Sequence, residues 1–172
     1  VTTMARLDKT ENSLAAGQRV FGRYYLTRTL GEGGMGVVWL AHDRVLEQPS
    51  ALKLLAPHLV ADHAEIGRLK TETRRSLKLA HPNIVRIHDF ILTPQGAAVA
   101  MEYVDGWSLW SLKVDKPRQV FSVAELRPWI RDLCAALDYA HNEARIVHRD
   151  IKPANLILNS RGQIKVTDFG LS

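Results

Sequence analysis

The stretch His148-Arg149-Asp150-Ile151-Lys152-Pro153-Ala154-Asn155 and the triplet Asp168-Phe169-Gly170 downstream of it hold two carboxylates, an amide and an ammonium close together in the chain. Apolar runs bracket them, Ile146-Val147, Leu156-Ile157-Leu158 and Ile164-Lys165-Val166, and each reads as a short strand that pins the loop beside it. A loop so pinned is built to hold polar groups. The chemistry that wants this set is phosphoryl transfer, where the transferred group carries most of the charge and the protein positions it and neutralises it with metal ions. One carboxylate can orient an attacking hydroxyl and accept its proton, while an Asp and an Asn supply the hard oxygen ligands that magnesium prefers. A single loop Asp is more often a turn former or a helix cap. The joint order and spacing point the other way, because a solvated loop has no reason to specify them.

Such a site needs something to hold the phosphate donor, and the upstream half of the chain offers it. Aromatic and β-branched residues from Val20 to Leu30 predict a strand that ends at Gly31-Glu32-Gly33-Gly34-Met35-Gly36. In a dinucleotide-binding unit the last glycine opens a helix; here Val37-Val38-Trp39-Leu40-Ala41 follows, a second strand, so the glycines form the tip of a hairpin. Without side chains the backbone can approach a triphosphate and turn its N–H groups toward the oxygens. Ser50-Ala51-Leu52-Lys53-Leu54-Leu55 is a third apolar run with one lysine inside it, either an edge residue in solvent or a buried ammonium with a partner. Asp62 and Glu65 make a capping-box-like start, and Ile66, Leu69, Thr73, Leu77 and Ala80 keep helical spacing, with Glu72 beside that face. His81-Pro82 ends the helix, and two further strands, Arg86 to Leu92 and Ala97 to Tyr103, flank a Pro94-Gln95-Gly96 turn. The sum is a small antiparallel lobe of five strands and one main helix.

Beyond it, Ser122-Val123-Ala124-Glu125 is a capping box, and Leu126, Ile130, Leu133, Leu137 and His141 trace the stripe of a core helix under the Asp150 loop. Cys134 lies on that helix and reads as a small buried thiol; Trp107 and Trp110 read as packing residues. No His and Cys cluster has zinc spacing.

These motifs, taken together, resemble the eukaryotic-type protein kinases, and Lys152-Pro153 resembles their Ser/Thr branch; the loop Gly-Glu-Gly-Gly-Met-Gly-Val-Val resembles bacterial members. The resemblance spans residues 20 to 172. It implies an α+β, protein-kinase-like fold: the five-stranded antiparallel N-lobe with one main helix, then the first part of a mainly helical C-lobe. It divides the chain into a flexible tail (1–19), the N-lobe (20–101), a hinge (102–106) and a partial C-lobe (107–172). It implies Asp150 as catalytic base, Lys152 on the transferred phosphate, and Asn155 and Asp168 on magnesium, with manganese as the alternative ion. Gly31, Gly33, Gly34 and Gly36 would lie at the ATP phosphates, with Val38, Ala51 and Ile157 about the adenine. Lys53 would hold the α- and β-phosphates and pair with Glu72. Met101 would guard the back pocket, and Glu102 to Val104 would offer backbone groups to the adenine edge. His148 and Phe169 would pack as internal supports while Arg149 meets a phosphorylated residue. Ser50-Ala51-Leu52-Lys53 departs from the family's Val-Ala-Ile-Lys at its first and third positions but keeps the small Ala51.

The remaining composition is consistent with this and excludes other classes. Apolar residues at 46% and charged residues at 24% suit a globular domain rather than a disordered or fibrous chain. The net charge of +5 comes from scattered basic residues with no long run and no aromatic platform, which argues against nucleic acid. One cysteine and no apolar stretch of membrane length predict a cytoplasmic chain, whose parent protein is membrane-tethered in many bacterial relatives. The partners implied are ATP and a protein bearing Ser or Thr. The sequence stops directly after Asp168-Phe169-Gly170, so the expectation is an incomplete domain, inactive in isolation, with an apolar face on the 122–143 helix open to association. The alternative is a non-catalytic truncated or pseudokinase module that binds nucleotide or a protein partner.

Overall fold

A computed structural model describes residues 14–169; most of the expected loose tail, and Gly170 of the triplet, lie outside them. The upper lobe is one antiparallel sheet, built by the alternation of side chains that each strand imposes. Its strands are β1 (Arg19–Val20), β2 (Tyr24–Gly33), β3 (Gly36–Asp43), β4 (Gln48–Leu55), β5 (Ile87–Thr93) and β6 (Gly96–Glu102), in the order β1-β2-β3-β4-β6-β5. The strand expected from Val20 is broken after that residue because Phe21 and Gly22 turn with positive φ, and the piece before the turn pairs back on Tyr24 and Tyr25 as an extra, sixth strand.

The register of β3 on β4 sets Val38 opposite Lys53 and Trp39 opposite Leu52. One face therefore carries Leu52, Leu54, Trp39, Ala41, Ala98 and Ala100, which close with Tyr24 and Leu26 into a core. The other carries Ala51, Val99 and Met101, joined by Val85, Ile87 and the half-buried Val38, Val104 and Ile157. Lys53 stands on this second face, between Ala51 and Leu55.

A short helix, α1 (Pro57–Ala61), leads into α2 (His63–Ser76). Asp62 caps α2 by accepting from the N–H groups of Ala64 and Glu65, as the sequence signal requires. Ile66, Leu69 and Thr73 are buried as expected, but Leu77 caps the C-terminus and Ala80 lies beyond it, both exposed. Ile66 and Leu69 close with Leu55 and Ala97. Burying each such side chain stabilises the lobe by about 1.5–3 kcal/mol.

The lower part holds a three-stranded sheet of β7 (Gly106–Ser108), β8 (Leu156–Asn159) and β9 (Ile164–Val166), with α3 (Leu109–Val114) and α4 (Val123–Asp138). Its core gathers Leu109, Ala136, Ala140, Leu156, Ile164, Val166 and Phe169 with Leu79 and Ile84 from the upper part. The Ser122–Glu125 capping box at the start of α4 forms in both directions. Three expectations fail here. Cys134 and Ile130 are exposed, since α4 presses only its Ala136 side fully into the core, and Trp107 and Trp110 are 66% and 56% exposed rather than packed. His141 sits in a single π-helical turn after α4, and it too is exposed. Among the described residues no helix is long and apolar enough to cross a membrane.

A backbone seam joins the two parts. Val85 N–H donates to Val166 O and Val166 N–H to Asn83 O, each at 2.8 Å, and the Asn83 side chain donates to Ile164 O at 2.8 Å. The seam fixes β9, and the chain that leaves it toward Asp168, against the upper sheet.

Gly36 sits where no other residue fits: its φ is +136° and an added Cβ would overlap the Leu54 carbonyl oxygen. Gly36→Ala is expected to cost about 2 kcal/mol or more in denaturant unfolding; an unchanged midpoint would show that the hairpin adjusts freely.

Candidate active site

The polar residues singled out in the sequence converge beneath the second face of the upper sheet. Lys53 is 7% exposed, and its Nζ donates to Asp168 Oδ1 at 3.0 Å across the gap between the two parts. Sheet alternation fixes the height of Lys53, and the 83–85 seam fixes that of Asp168, two residues beyond Val166. The ammonium is thereby buried with a partner, the second of the two readings left open by its position in the run.

Below Asp168 a chain of hydrogen bonds ties the triplet to the Asp150 loop. Thr167 N–H donates to Asn155 O at 3.0 Å, and Asn155 N–H to Lys152 O at 2.9 Å. The Asn155 amide donates to Asp150 O at 2.9 Å and to Asp150 Oδ2 at 3.1 Å. His148, fully buried, bridges the same segments: its Nε2 lies 2.8 Å from Thr167 O and its Nδ1 accepts from Asp150 N–H. Since Nδ1 accepts, the neutral ring carries its proton on Nε2 and donates it to Thr167. Its ring meets the Phe169 ring edge-on at 4.5 Å, so both act as internal supports. Ser76 on α2 donates to Phe169 O at 3.0 Å, a tie between residues 93 positions apart that no local signal marks.

Two residues here hold left-handed backbone, Arg149 at φ +72° and Asp168 at φ +61°. Conformations of this kind cost about 1–3 kcal/mol each and persist where surrounding bonds over-determine them. The Asp168 carboxylate reaches Lys53 of the upper sheet, and the Asp150 carboxylate meets Lys152 and Asn155 of its own loop.

The Lys152 ammonium, 2.6 Å from Asp150 Oδ2, holds the Asp150 carboxyl below its usual range, with the Asn155 amide adding to the effect. Like any aspartate whose pKa is ordinary or lowered, Asp150 is an anion at neutral pH and can accept a hydroxyl proton.

Glu72 departs from expectation. It makes no ion pair with Lys53; its Oε1 lies 4.0 Å from Arg149 Nη1, and its buried Oε2 has no hydrogen bond. Lys53 is turned to Asp168 instead, so α2 stands with its carboxylate short of the lysine.

The apolar residues do assemble. Val38, Ala51, Met101, Val104 and Ile157 share one apolar cluster next to the hinge. Met101 and Phe169 border, with Val85, Ile87 and Asp168, a void of about 10 Å³, room for no more than a water. Gly31, Gly33 and Gly34 have open space around their Cα atoms, as a loop that receives a ligand needs.

The donor set fits a divalent cation. Asn155 spends its amide N–H groups on Asp150, which leaves its amide oxygen as a ligand, and Asp168 has one carboxylate oxygen beyond the one held by Lys53. Among the described residues no group of three His, Cys, Asp or Glu side chains forms a cage. Two oxygen ligands completed by phosphate and water are what magnesium takes, whereas zinc would want a closed nitrogen and sulfur set.

The Asp150–Lys152 contact gives a pH test. In Lys152→Met the largest cause of the depression is removed, and a carbon-detected NMR titration is expected to move the Asp150 carboxyl up toward the ordinary carboxylate range; an unmoved titration would mean that the lysine does not set it.

The protein kinase domain profile matches residues 24–172. A CBL-interacting serine/threonine-protein kinase 21 of Arabidopsis thaliana is 39% identical over 156 residues, 91% of this chain and 36% of its own length. The serine/threonine-protein kinase PrkC of Bacillus subtilis is 36% identical over 160 residues, 91% of this chain and 24% of its own. The chain thus spans about a third or less of the length of these relatives. Among solved structures, the PknI kinase domain of Mycobacterium tuberculosis superposes with a TM-score of 0.81 at 35% identity, over 93% of this chain and 62% of that one. Members of this family use ATP with a divalent metal. An apolar cluster, a buried lysine, a paired aspartate and an asparagine held in this order belong to the same architecture, and the chain is a member of the Ser/Thr protein kinase domain family.

Proposed function

We propose that this chain carries the nucleotide and magnesium site of an ATP-dependent protein kinase, which passes the γ-phosphoryl group of ATP to a Ser or Thr hydroxyl of a protein. The observation that carries the reading is the convergence of Lys53, Asp168, Asn155 and Asp150 through one unbroken set of contacts below the glycine hairpin.

On this reading the adenine occupies a slot between Val38 and Ala51 on one side and Ile157 on the other, and the backbone of Glu102 to Val104 meets its edge. Gly31, Gly33, Gly34 and Gly36 present N–H groups to the phosphates, and Lys53 neutralises the α- and β-phosphates. Asn155 and Asp168 would hold magnesium, with manganese as the alternative ion, and the metal would neutralise charge on the phosphate oxygens. Asp150, an anion at neutral pH, orients the attacking hydroxyl and accepts its proton, while Lys152 faces the transferred group.

Glu72 bears on activity. With Lys53 on Asp168 and Glu72 beside Arg149, the lysine and helix carboxylate that must meet for transfer stand apart. This favours, as a second reading, a module that binds nucleotide without turning it over.

One experiment separates these. The 172-residue chain is expected to bind a fluorescent ATP analogue in a magnesium-dependent way, and Lys53→Met or Asp168→Asn is expected to weaken that binding about tenfold, the loss of one charged contact of roughly 1.4 kcal/mol. Absence of binding by the unaltered chain would sink the nucleotide reading. Radiolabelled ATP with casein should give little transfer; robust transfer that vanishes in Asp150→Asn would make the chain an active kinase as it stands.

A further inference from the structure

Strand alternation sends Met101 to the face it shares with Ala51 and sends its neighbour Glu102 to the opposite side, behind the hinge. The same rule on β9 buries Ile164 and Val166 and turns Lys165 outward, toward Glu102. The two side chains meet tightly. Lys165 Nζ lies 2.6 Å from Glu102 Oε1 and 2.8 Å from Oε2, and both are partly buried. Glu102 is gripped a second time by residue 86: its N–H donates to Arg86 O at 2.8 Å, and its Oε2 accepts from Arg86 N–H at 3.2 Å. The pair lies along an open cleft of about 440 Å³ with His81, Arg86 and His88, on the far side of the hinge from the slot.

This grip does not serve to hold the lobes together, because the seam between 83–85 and β9 already does that. It acts on the hinge. Residues 103–105 lie outside both sheets, strung between Glu102 at the end of β6 and Gly106 at the start of β7. The Gly106 end is fixed by contact so close that an added Cβ would overlap the Leu158 carbonyl oxygen. At the Glu102 end the backbone is held by pairing with Ser50 and by the bond to Arg86 O, and the side chain is fixed from the lower lobe by Lys165.

We propose that Lys165 is a positioning residue for nucleobase recognition: by clamping Glu102 from β9, it sets the orientation of the hinge peptides that meet the edge of the adenine. This rests on the nucleotide reading above and adds to it a residue outside the slot, which touches no ligand. The consequence is selective. With the Glu102 side chain unclamped, the hinge peptides keep their sheet anchor but lose their set orientation, which weakens edge hydrogen bonds, whose directions matter, while Lys53 and the glycine loop keep their hold on the phosphates.

The test uses the whole chain, fluorescent ADP and fluorescent IDP, whose hypoxanthine presents a carbonyl where adenine presents an amino group. The unaltered chain is expected to prefer ADP. Lys165→Met is expected to weaken ADP binding about tenfold, two edge hydrogen bonds at roughly a factor of three each, and to narrow the ADP over IDP preference by a similar factor. Lys165→Arg, which keeps the charge and reach, is expected to restore most of both. If Lys165→Met binds ADP and IDP in the unaltered ratio, whatever the absolute affinity, the positioning role is wrong and the nucleotide reading survives. If the unaltered chain binds neither, the nucleotide reading falls and this inference with it. Should Lys165→Met fail to fold, Glu102→Gln keeps an acceptor for Arg86 and removes the charge held by Lys165; an unchanged ratio there overturns the proposal equally.

Discussion

The ion pair between Lys53 and Asp168 is the contact on which the arrangement turns. It is the point where a strand of the upper sheet and the loop after β9 address each other directly, over 115 positions of sequence. An ammonium this far removed from water is tolerable only with a carboxylate beside it, since the desolvation of a lone buried charge is not recovered elsewhere. The pair therefore demands that the two lobes stand at one separation. Both members occupy positions fixed by other forces: Lys53 by the alternation that puts Leu52 and Leu54 into the core, and Asp168 by the backbone bonds of the seam. The core and the seam set the geometry, and the ion pair makes it chemically useful.

Around that contact the lower loop is over-determined. His148 spans from Asp150 to Thr167, Asn155 from Asp150 to Thr167 by a second route, and Lys152 closes on Asp150. Parallel ties of this sort let Arg149 and Asp168 keep left-handed backbone that an isolated loop would relax. The strain and the bonds belong together. A loop with fewer buried partners would turn its carboxylates back toward its own N–H groups, as Asp in a turn ordinarily does.

The legible part of the site was the part written in local chemistry. Glycines at a hairpin tip, a lysine inside an apolar run, Asp62 before a helix and the ordered set from His148 to Asp168 each imply their own conformation or role within a few residues. Pairings across the fold were less legible. Nothing local to Glu72 shows that Arg149 rather than Lys53 stands opposite it, nor that Lys165, one residue of a three-residue strand, closes on Glu102. Burial was misjudged for a related reason. The 3.6-residue period of α4 marks the face able to be buried but says nothing of what lies against it, and Cys134 and Ile130 are exposed although they keep the spacing. Trp107 is left mostly in solvent on β7, an edge strand of a small sheet.

Glu72 shows how little separates two states of such a site. Its Oε2 is buried without a hydrogen bond, and one residue on, the Thr73 hydroxyl is in the same condition. An unmet buried acceptor costs about 1–3 kcal/mol. Arg149 at 4.0 Å offers charge attraction but no hydrogen bond to offset it. The Lys53 ammonium has three donors and Asp168 engages one of them, so lysine chemistry permits Glu72 as a further partner, yet with α2 where it stands the two do not meet. That position is held by Ser76 on Phe169 O and by Ile66 and Leu69 against Leu55 and Ala97. The helix is thus held by packing on one side and left with unmet polar atoms on another. The free energy at stake, roughly that of one hydrogen bond to a charged group, is the size that moves a two-state population about tenfold.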